Sequence, residues 1–346
     1  MTVNIDRTKV TRLIVRTPNP LGDAVLALPA IAAVRRAFAH ASLAIAAPGS
    51  VASMFEEDTS ARQDEIVTLA DKGDAAALRS GRFDAILLLP NSFRSAWVAR
   101  QAGVAERWGY RRAFRGPLLT RAVAPPRGGP LHQAEYYRTL VRGLAIDVED
   151  ELPRVRPSPQ TAQRAEAAFA REVITPGTPI VGFAPGAAYG HAKRWPPRRV
   201  AALIAKLATE RGAACLLVGA AGDREAGREI ESALPPDVRI VNLIGRTDLR
   251  LLIGILARCD AFVSNDSGAM HLAAAAGVSV TAMFGPTDDR ATAPLGDHDV
   301  MIHQVFCRPC MLRDCPIDHR CMKGITVEAV FAAVGRRLDA PKQDSR

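Results

Sequence analysis

The chain has 346 residues, of which 48% are hydrophobic and 23% charged, with a formal net charge of +9 and a pI near 9.6. This composition is typical of a globular protein with two domains of about 150 residues each. No apolar run approaches the roughly 18 residues of a spanning helix, and the polar start lacks the apolar core of a signal peptide, so we expect a cytoplasmic protein. The charge favours anionic partners, such as nucleotide-linked substrates or an acidic membrane surface. Nucleic acid is disfavoured because aromatics are only 5% and no binding motif occurs.

Short apolar strands alternate with helices in the first half of the chain. Strands are predicted over residues 13–15, 42–47, 66–69 and 83–89, and helices over residues 24–38, 51–55, 93–102 and 133–143. Continuous apolar strands that alternate with helices predict an α/β fold with parallel sheets covered on both faces.

The alternation pauses at a proline-rich break over residues 153–159 and then restarts. Strands are predicted over residues 180–184, 213–218, 239–243, 261–264 and 278–284, and helices over residues 161–172, 196–211, 223–233, 249–257 and 327–338. We therefore predict two doubly wound, Rossmann-like domains over residues 1–155 and 176–340, joined by a linker and helix over residues 156–175. Ligands in such sheets bind outside the carboxyl ends of the strands, which predicts a site in the cleft between the domains.

A diphosphate-binding segment is predicted at Asn265-Asp266-Ser267-Gly268, between a strand and a helix. Gly268 leaves the backbone bare, so the unpaired amides and the positive end of the helix would suit a diphosphate. The alternative is that Asp266 or Ser267 only caps the helix. His271 falls in the first helical turns, where it either contacts a ligand or packs in the core.

Two cations, Lys193 and Arg194, precede the next helix in a segment that begins with Gly186 after a strand. They would neutralise a diphosphate leaving group, with a solvated surface pair as the alternative. The glycine-rich loop over residues 219–222 does not have the dinucleotide pattern, which disfavours a dehydrogenase.

Gly22-Asp23 follows the first strand at the start of a helix. A carboxylate there faces the ligand edge of the sheet and stays ionised near the helix N-terminus, which suits a general base. The alternative role of Asp23 is a helix cap.

Four segments, in chain order, resemble the lipopolysaccharide heptosyltransferases, and the type II members most of all. They are Gly22-Asp23, Pro90-Asn91-Ser92-Phe93-Arg94-Ser95, Pro185-Gly186-Ala187 with Ala192-Lys193-Arg194-Trp195-Pro196, and Asn265-Asp266-Ser267-Gly268-Ala269-Met270-His271. The resemblance runs from about residue 12 to residue 335.

This resemblance implies a GT-B type fold with the acceptor on the N-terminal domain and ADP-heptose on the C-terminal domain. It implies an inverting transfer of heptose to the inner core of lipopolysaccharide, at the inner face of the cytoplasmic membrane and without a catalytic cofactor. Asp23 would be the base, Lys193 would meet the sugar phosphate, Asp266 would lie near the heptose hydroxyls, and Ser267, Gly268 and His271 would lie near the diphosphate. The full predicted donor-binding set is Gly186, Lys193, Arg194, Asp266, Ser267, Gly268 and His271, and the acceptor-binding set is Gly22, Asn91, Ser92, Arg94 and Arg112.

A basic set in the first domain is interleaved with aromatics. It consists of Arg94, Arg107, Arg111, Arg112 and Arg115, with Trp108, Tyr110 and Phe114 between them. Guanidinium groups suit an acceptor that bears phosphates and carboxylates. We expect one or two of them to touch substrate and the others to be solvated.

Four of the six cysteines, Cys307, Cys310, Cys315 and Cys321, lie within 15 residues, which departs from the heptosyltransferase pattern. Four thiolates would close a structural zinc site, and two disulfides or free thiols are the alternatives. A catalytic metal is not expected, because four thiolates leave no open position.

Two competing functions remain at the level of sequence. One is a related transferase that uses another nucleotide sugar for another surface glycan. The other is a non-catalytic protein that binds a nucleotide sugar or a membrane surface, which would have no need of Asp23.

Overall fold

The computed structural model describes residues 5–70, 73–172, 174 and 177–340. The chain divides into two compact units, Met1–Val155 and Arg156–Arg346. Residues 1–4, 71 and 72 of the first predicted domain, residues 173 and 175 of the predicted linker and residue 176 of the second predicted domain lie outside the described residues.

The first unit is built on a six-stranded sheet. Its strands are β1 Arg12–Arg16, β2 Ser42–Pro48, β4 Glu65–Leu69, β5 Ala85–Leu88, β6 Glu106–Tyr110 and β7 Arg121–Val123. Two short strands, β3 Asp58–Thr59 and β8 Val155–Arg156, pair with each other in a separate sheet. Its helices are α1 Leu21–Leu26, α2 Leu28–Ala37, α3 Gly49–Ala52, α4 Asp74–Ser80, α5 Phe93–Gln101 and α6 Gln133–Arg142. The strand order is β4-β2-β1-β5-β6-β7, and all neighbours are parallel.

The second unit repeats this plan. Its strands are β9 Ile180–Ala184, β10 Ala214–Leu217, β11 Val241–Asn242, β12 Ala261–Asn265, β13 Ser279–Phe284 and β14 His298–Ile302. Its helices are α7 Pro159–Arg171, α8 Pro197–Arg211, α9 Arg224–Ala233, α10 Leu249–Leu256, α11 Gly268–Ala275, α12 Asp289–Thr292, α13 Arg320–Lys323 and α14 Val327–Asp339. The order is β11-β10-β9-β12-β13-β14, again all parallel.

The central strands form the core of each unit. Leu13, Ile14 and Val15 in β1 are fully buried, as is Phe262 in β12. A strand that is covered on both faces of the sheet is apolar at consecutive positions, instead of alternating between apolar and polar residues. This is why these strands could be predicted from the sequence.

The predicted helix over residues 24–38 is wrong in two respects. It starts earlier, at Leu21, and Ala27 separates α1 from α2. Pro29 in the first turn of α2 has no N–H to continue the ladder of α1, and proline is tolerated in a first turn. As a result, Gly22 and Asp23 lie in the first turn of α1.

Sequence analysis missed β6, β7 and β14. The β6 strand carries two members of the predicted basic and aromatic set, Trp108 and Tyr110, and both are fully buried. None of the helices in the described ranges combines the length and the hydropathy that crossing a bilayer takes.

Candidate functional site

The carboxyl edge of the second sheet gathers most of the predicted donor residues. The neighbouring strands β9 and β12 end at Ala184 and Asn265, and the segments that follow them carry Lys193 and Asp266. Because the strands are parallel, both segments leave the same edge of the sheet. The topology therefore brings Lys193 close to Asp266, although the two residues are 73 positions apart in the sequence.

A buried ion pair forms the centre of this edge. Lys193 Nζ donates to Asp266 Oδ2 at 2.6 Å, and the two residues are 9% and 8% exposed. Thr287 Oγ1 donates to the same oxygen at 2.7 Å, and the Tyr189 ring lies 4.6 Å from the Lys193 ammonium. The alternative of a solvated cation is therefore wrong for Lys193. Thr287 was missed, although its position just after the predicted strand over residues 278–284 was the available signal.

Asn265 fixes the segment that carries Lys193. Its fully buried side chain accepts from the Trp195 amide at 3.0 Å and donates to the Pro185 carbonyl at 2.7 Å and the Gly186 carbonyl at 3.3 Å. Because the oxygen and the NH2 group of this side chain are both hydrogen-bonded to the backbone, the side chain holds the loop as the backbone hydrogen bonds of a sheet hold a strand. The sequence motif included Asn265, but its role was not predicted.

Gly186 and Arg194 meet around Asp223. A Cβ on Gly186 would lie 2.1 Å from Asp223 Cγ, so a side chain there would displace the Asp223 carboxylate. Arg194 Nη2 lies 3.7 Å from Asp223 Oδ1, with a quarter of the Arg194 side chain exposed. Of the two predicted cations, Arg194 is the one nearer to solvent.

Helix α11 begins beside the ion pair. Ser267 occupies the N-cap position without a side-chain bond to the helix and instead shares a hydrogen bond with Ser264, at 3.0 Å between hydroxyl oxygens. Asp266 does not cap the helix either, so the capping alternative is wrong for both residues. Gly268 is the first helical residue, and His271 is buried one turn further on. The N-terminus of a helix carries positive potential that favours an anion, which is the role predicted for this segment.

The cysteine-rich segment over residues 303–321 packs on the loop that carries Lys193. Ala192 donates its amide to the Arg313 carbonyl at 2.9 Å, and the Tyr189 hydroxyl donates to the Met311 carbonyl at 2.8 Å. A Cβ on Gly190 would lie 2.3 Å from the Arg313 carbonyl oxygen. The cysteine-rich segment therefore supports the Lys193 loop, at the carboxyl edge of the second sheet.

None of the four clustered cysteines, all of which lie within the described residues, forms a disulfide. The His319 amide donates to Cys315 Sγ at 3.3 Å, and burial raises the pKa of Cys321. Among the described residues, no three histidine, cysteine or acidic side chains are arranged to hold a metal ion. The zinc site stays a prediction, and no chemistry below depends on it.

The carboxyl edge of the first sheet carries the predicted base. Asp23 is the third residue of α1, whose N-cap is Pro20, so the capping alternative is wrong for Asp23. Burial raises the pKa of Tyr137 in α6, and the negative charge of Asp23 raises it further. Gly22 and Asp23 are both half-buried in the first turn of the helix that follows β1.

The predicted acceptor residues have mixed surroundings. Asn91 Nδ2 donates to the Tyr136 hydroxyl at 3.0 Å, while Ser92 caps α5 by accepting from the Ser95 amide at 3.2 Å. Arg94 is 60% exposed and lies 3.8 Å from an Asp74 carboxylate oxygen. Arg94 and Ser92 line a pocket of about 160 Å³ together with Arg16, Asn19 and Asp74.

Arg112 and Arg115 differ sharply although both belong to the predicted basic set. Arg112 is exposed, and its hydrogen bond with Tyr136 raises its pKa. Arg115 is fully buried, and burial lowers its pKa to about 10. Its guanidinium donates to the Tyr110 carbonyl at 2.9 Å and to the Pro90 carbonyl, so it joins the ends of β5 and β6. The prediction of a solvated side chain is therefore wrong for Arg115, whose role is structural.

Comparison with known proteins agrees with this architecture. Residues 75–320 match the profile of glycosyltransferase family 9 (heptosyltransferase). The chain is 36% identical over 231 residues to lipooligosaccharide heptosyltransferase 2 of Haemophilus influenzae, an alignment that covers 65% of this chain and 66% of that protein. It is 37% identical over 226 residues to lipopolysaccharide heptosyltransferase 2 of Escherichia coli, covering 63% and 64%. These alignments span just under two thirds of either relative.

A solved structure matches the chain more completely. The ADP-heptose LPS heptosyltransferase II of E. coli superposes with a TM-score of 0.80 at 28% identity, covering 94% of this chain and 98% of that one. The fold class predicted from the sequence is confirmed: α/β, of GT-B type, with two Rossmann-like domains. That the acceptor and donor edges face a common cleft stays a prediction.

Proposed function

We propose that this chain, a glycosyltransferase that belongs to glycosyltransferase family 9 (heptosyltransferase), moves L-glycero-D-manno-heptose from ADP-heptose to the inner core of lipopolysaccharide. The observation that carries the proposal is the buried cluster of Lys193, Asp266 and Thr287 beside the start of α11. A non-catalytic binding protein is no longer a competitor, because the family is one of transferases.

The donor half of the proposed site is the carboxyl edge of the second sheet. An ammonium has three N–H donors, and in Lys193 one of them is used by Asp266, so the others are available to the diphosphate. Arg194 and the first amides of α11 add positive potential at the same place. Both bonds to Asp266 fall on Oδ2, and Oδ1 is the atom that would accept from a heptose hydroxyl.

Bare backbone and small groups complete the donor half. Gly186 and Gly268 let the diphosphate approach main-chain amides, and Ser267 offers a hydroxyl whose position is set by Ser264. His271 lies one turn into α11, where it would contact the diphosphate.

The acceptor half is the carboxyl edge of the first sheet. Gly22, Asn91 and Ser92 would contact acceptor hydroxyls, while Arg94 and Arg112 would meet its phosphates or carboxylates. Asp23 would take the proton of the reacting hydroxyl.

The proposed reaction is a single in-line displacement. The acceptor hydroxyl gives its proton to the Asp23 carboxylate, and its oxygen forms a bond to the anomeric carbon of heptose. The bond from that carbon to the diphosphate breaks with inversion, and ADP leaves with its new negative charge held by Lys193, Arg194 and the end of α11. This step requires no covalent enzyme intermediate and no cofactor.

The acceptor in this proposal is the heptosylated inner core, because the two curated relatives and the solved structure described above are type II enzymes. Lipopolysaccharide precursors are lipid-linked, so we place the chain peripherally on the inner face of the cytoplasmic membrane. Its net charge of +9 supports contact with an anionic surface.

The test is transfer from ADP-heptose, followed by mass spectrometry of the acceptor. We expect a gain of one heptose on the heptosylated core and none on the bare core. Gain on the bare core alone would make the enzyme type I, and gain only from a UDP-sugar run in parallel would replace the donor with another nucleotide sugar.

A further inference from the structure

Three aromatic side chains stand in solvent on the first unit. Phe93 and Trp97 of α5 are 48% and 44% exposed, and Phe114, in the turn after β6, is 97% exposed. We call these three residues the aromatic rim. The rings of Phe93 and Trp97, one helical turn apart, stack with centroids 6.2 Å apart.

The two parts of the aromatic rim leave the same edge of the sheet. Helix α5 follows β5 and the Phe114 turn follows β6, and these strands are parallel neighbours. Arg115 ties the two segments together: its guanidinium lies 3.2 Å from Ser95 Oγ and 3.4 Å from Asn91 Oδ1. The position of Phe114 is therefore fixed relative to the start of α5.

The exposure of Phe114 is maintained against a conformational cost. Ala113 and Phe114 have φ values of 48° and 58°, in the left-handed region that residues with a Cβ rarely adopt. The fully buried Arg115 side chain joins the two ends of this turn by donating to the Tyr110 carbonyl.

The segments that carry the aromatic rim are rich in arginine, and one of these arginines, Arg94, is paired with Asp74 of α4. Residues 91–116 contain six arginines and a single acid, Glu106. Glu106 is engaged on its own strand, where it accepts from the Trp108 indole at 3.0 Å and pairs with Arg121 at 3.3 Å. Arg100, Arg111 and Arg112 are exposed. Aromatic rings flanked by arginines match the boundary between lipid headgroups and acyl chains of an anionic bilayer.

We propose that the aromatic rim docks the enzyme on an anionic bilayer, with Phe114 and Trp97 in the headgroup region and the exposed side chains of Arg100 and Arg111 on lipid phosphates. This deepens the proposed function, on which it rests, because it places the acceptor edge against the surface that carries a lipid-linked acceptor. Docking would hold the acceptor-binding residues within reach of a sugar that projects from the bilayer.

The chain carries its own reporter for this contact. Of its three tryptophans, Trp97 is half-exposed, whereas Trp108 and Trp195 are at most 1% exposed. With full-length protein and vesicles of neutral and anionic phospholipid, brominated acyl chains should quench part of the tryptophan emission. The quenching should require anionic lipid and should disappear in Trp97→Phe.

Phe114→Ser should weaken partition into the anionic vesicles about tenfold, since it removes most of one aromatic burial. Phe306→Ser is the matched control, because Phe306 is an 81% exposed phenylalanine of the second unit. It should leave partition unchanged. Equal partition of Phe114→Ser and the parent, or no quenching from brominated lipid, would overturn the proposal. So would a lipid-free dimer that Phe114→Ser dissociates, because the rim would then be an interface between copies.

Transfer assays separate this proposal from the function on which it rests. Phe114→Ser should keep the parent rate on a delipidated, water-soluble core oligosaccharide and lose rate on the same acceptor in vesicles. Loss on both acceptors would place Phe114 in acceptor binding and overturn docking. Absence of heptose transfer by the parent would refute the function while the vesicle measurement still decides docking.

Discussion

The two units are alike at the amino edges of their sheets and different at the carboxyl edges. Asp84, before β5, accepts from the Thr11 and Arg12 amides at 2.8 Å, and Asp260, before β12, accepts from the Ile180 amide at 2.8 Å. In both units an aspartate thus joins the starts of two central strands. The shared feature belongs to the fold, and the chemistry must lie where the units differ.

At the carboxyl edges, the second unit buries the ion pair of Lys193 and Asp266, whereas the predicted base and acceptor residues of the first unit are at least partly exposed. Lys193, Asp266 and Asn265 are bonded to each other's segments before any ligand arrives. In the first unit Arg94 and Arg112 are exposed and Asp23 is half-buried. Under the proposed function, the preorganised edge would bind a donor of fixed structure and the open edge would bind a larger acceptor.

The largest expected effect tests the base. Asp23→Asn should lower kcat by about 10²- to 10⁴-fold while ADP affinity stays within about twofold, because the amide cannot take the proton. Asp64→Asn is the control, since Asp64 lies at the amino edge of the same sheet, where its carboxylate accepts a hydrogen bond from the Leu43 amide. Retention of a tenth or more of the parent kcat would remove Asp23 from the role of base.

The next effect tests burial at the donor edge. Lys193→Met should lower the free energy of unfolding by about 3–5 kcal/mol, because it leaves the Asp266 charge buried without its partner. Calorimetry should also show weakened ADP binding. Lys206→Met, which breaks the surface pair with Glu210, should cost about 0.5 kcal/mol or less.

The double variant Lys193→Met with Asp266→Asn sharpens this result. It should recover most of the lost stability, since no buried charge remains and the amide oxygen still accepts from Thr287. ADP binding should stay weak. Recovery of both quantities would show that Lys193 is structural only.

A smaller effect tests the loop that carries Lys193. Asn265→Ala should cost about 1–3 kcal/mol of unfolding free energy, because it leaves buried groups of Pro185 and Trp195 without a partner. ADP affinity should fall with it, as the loop loosens. Asn242→Ala, which removes one bond to the Ile244 amide, should cost less and leave ADP affinity unchanged.

The smallest effect tests the likeness of the amino edges. Burial alone would raise the pKa of Asp84, but hydrogen bonds from Thr11 and Arg12 to the carboxylate outweigh it and place the pKa below 3.8. A lowered folded-state pKa gives stability that is present above the unfolded-state value and is lost as pH falls through the folded-state value. Asp84→Asn should therefore cost about 1 kcal/mol at pH 7 and flatten the loss of stability from pH 5 to pH 2.

Asp260→Asn should lower the free energy of unfolding at pH 7 by an amount similar to that for Asp84→Asn. Neither variant should change kcat. The measurement is urea unfolding across pH. A change in kcat for either one would mean that the amino edges are not purely structural.

Sequence could predict the alternation of strands and helices because the central strands are apolar throughout. The segment at Asn265–Gly268, which we propose binds a diphosphate, could be recognised for a local reason, because a strand there meets a helix at glycine. In contrast, β6 was missed because Arg107 and Gly109 interrupt its apolar residues, and only long-range packing makes Trp108 and Tyr110 core. The burial of Arg115 depends on the Pro90 carbonyl, 25 positions away, which no local pattern reveals.

The Asn265 side chain has a consequence for the timing of backbone motion. Loop amides usually exchange their hydrogen with solvent quickly, because they open without disturbing the sheet. The Trp195 amide lies outside any strand, yet its buried acceptor belongs to the last residue of β12. Its deuterium uptake should follow that of the strand amides, so this loop opens no faster than the sheet beside it.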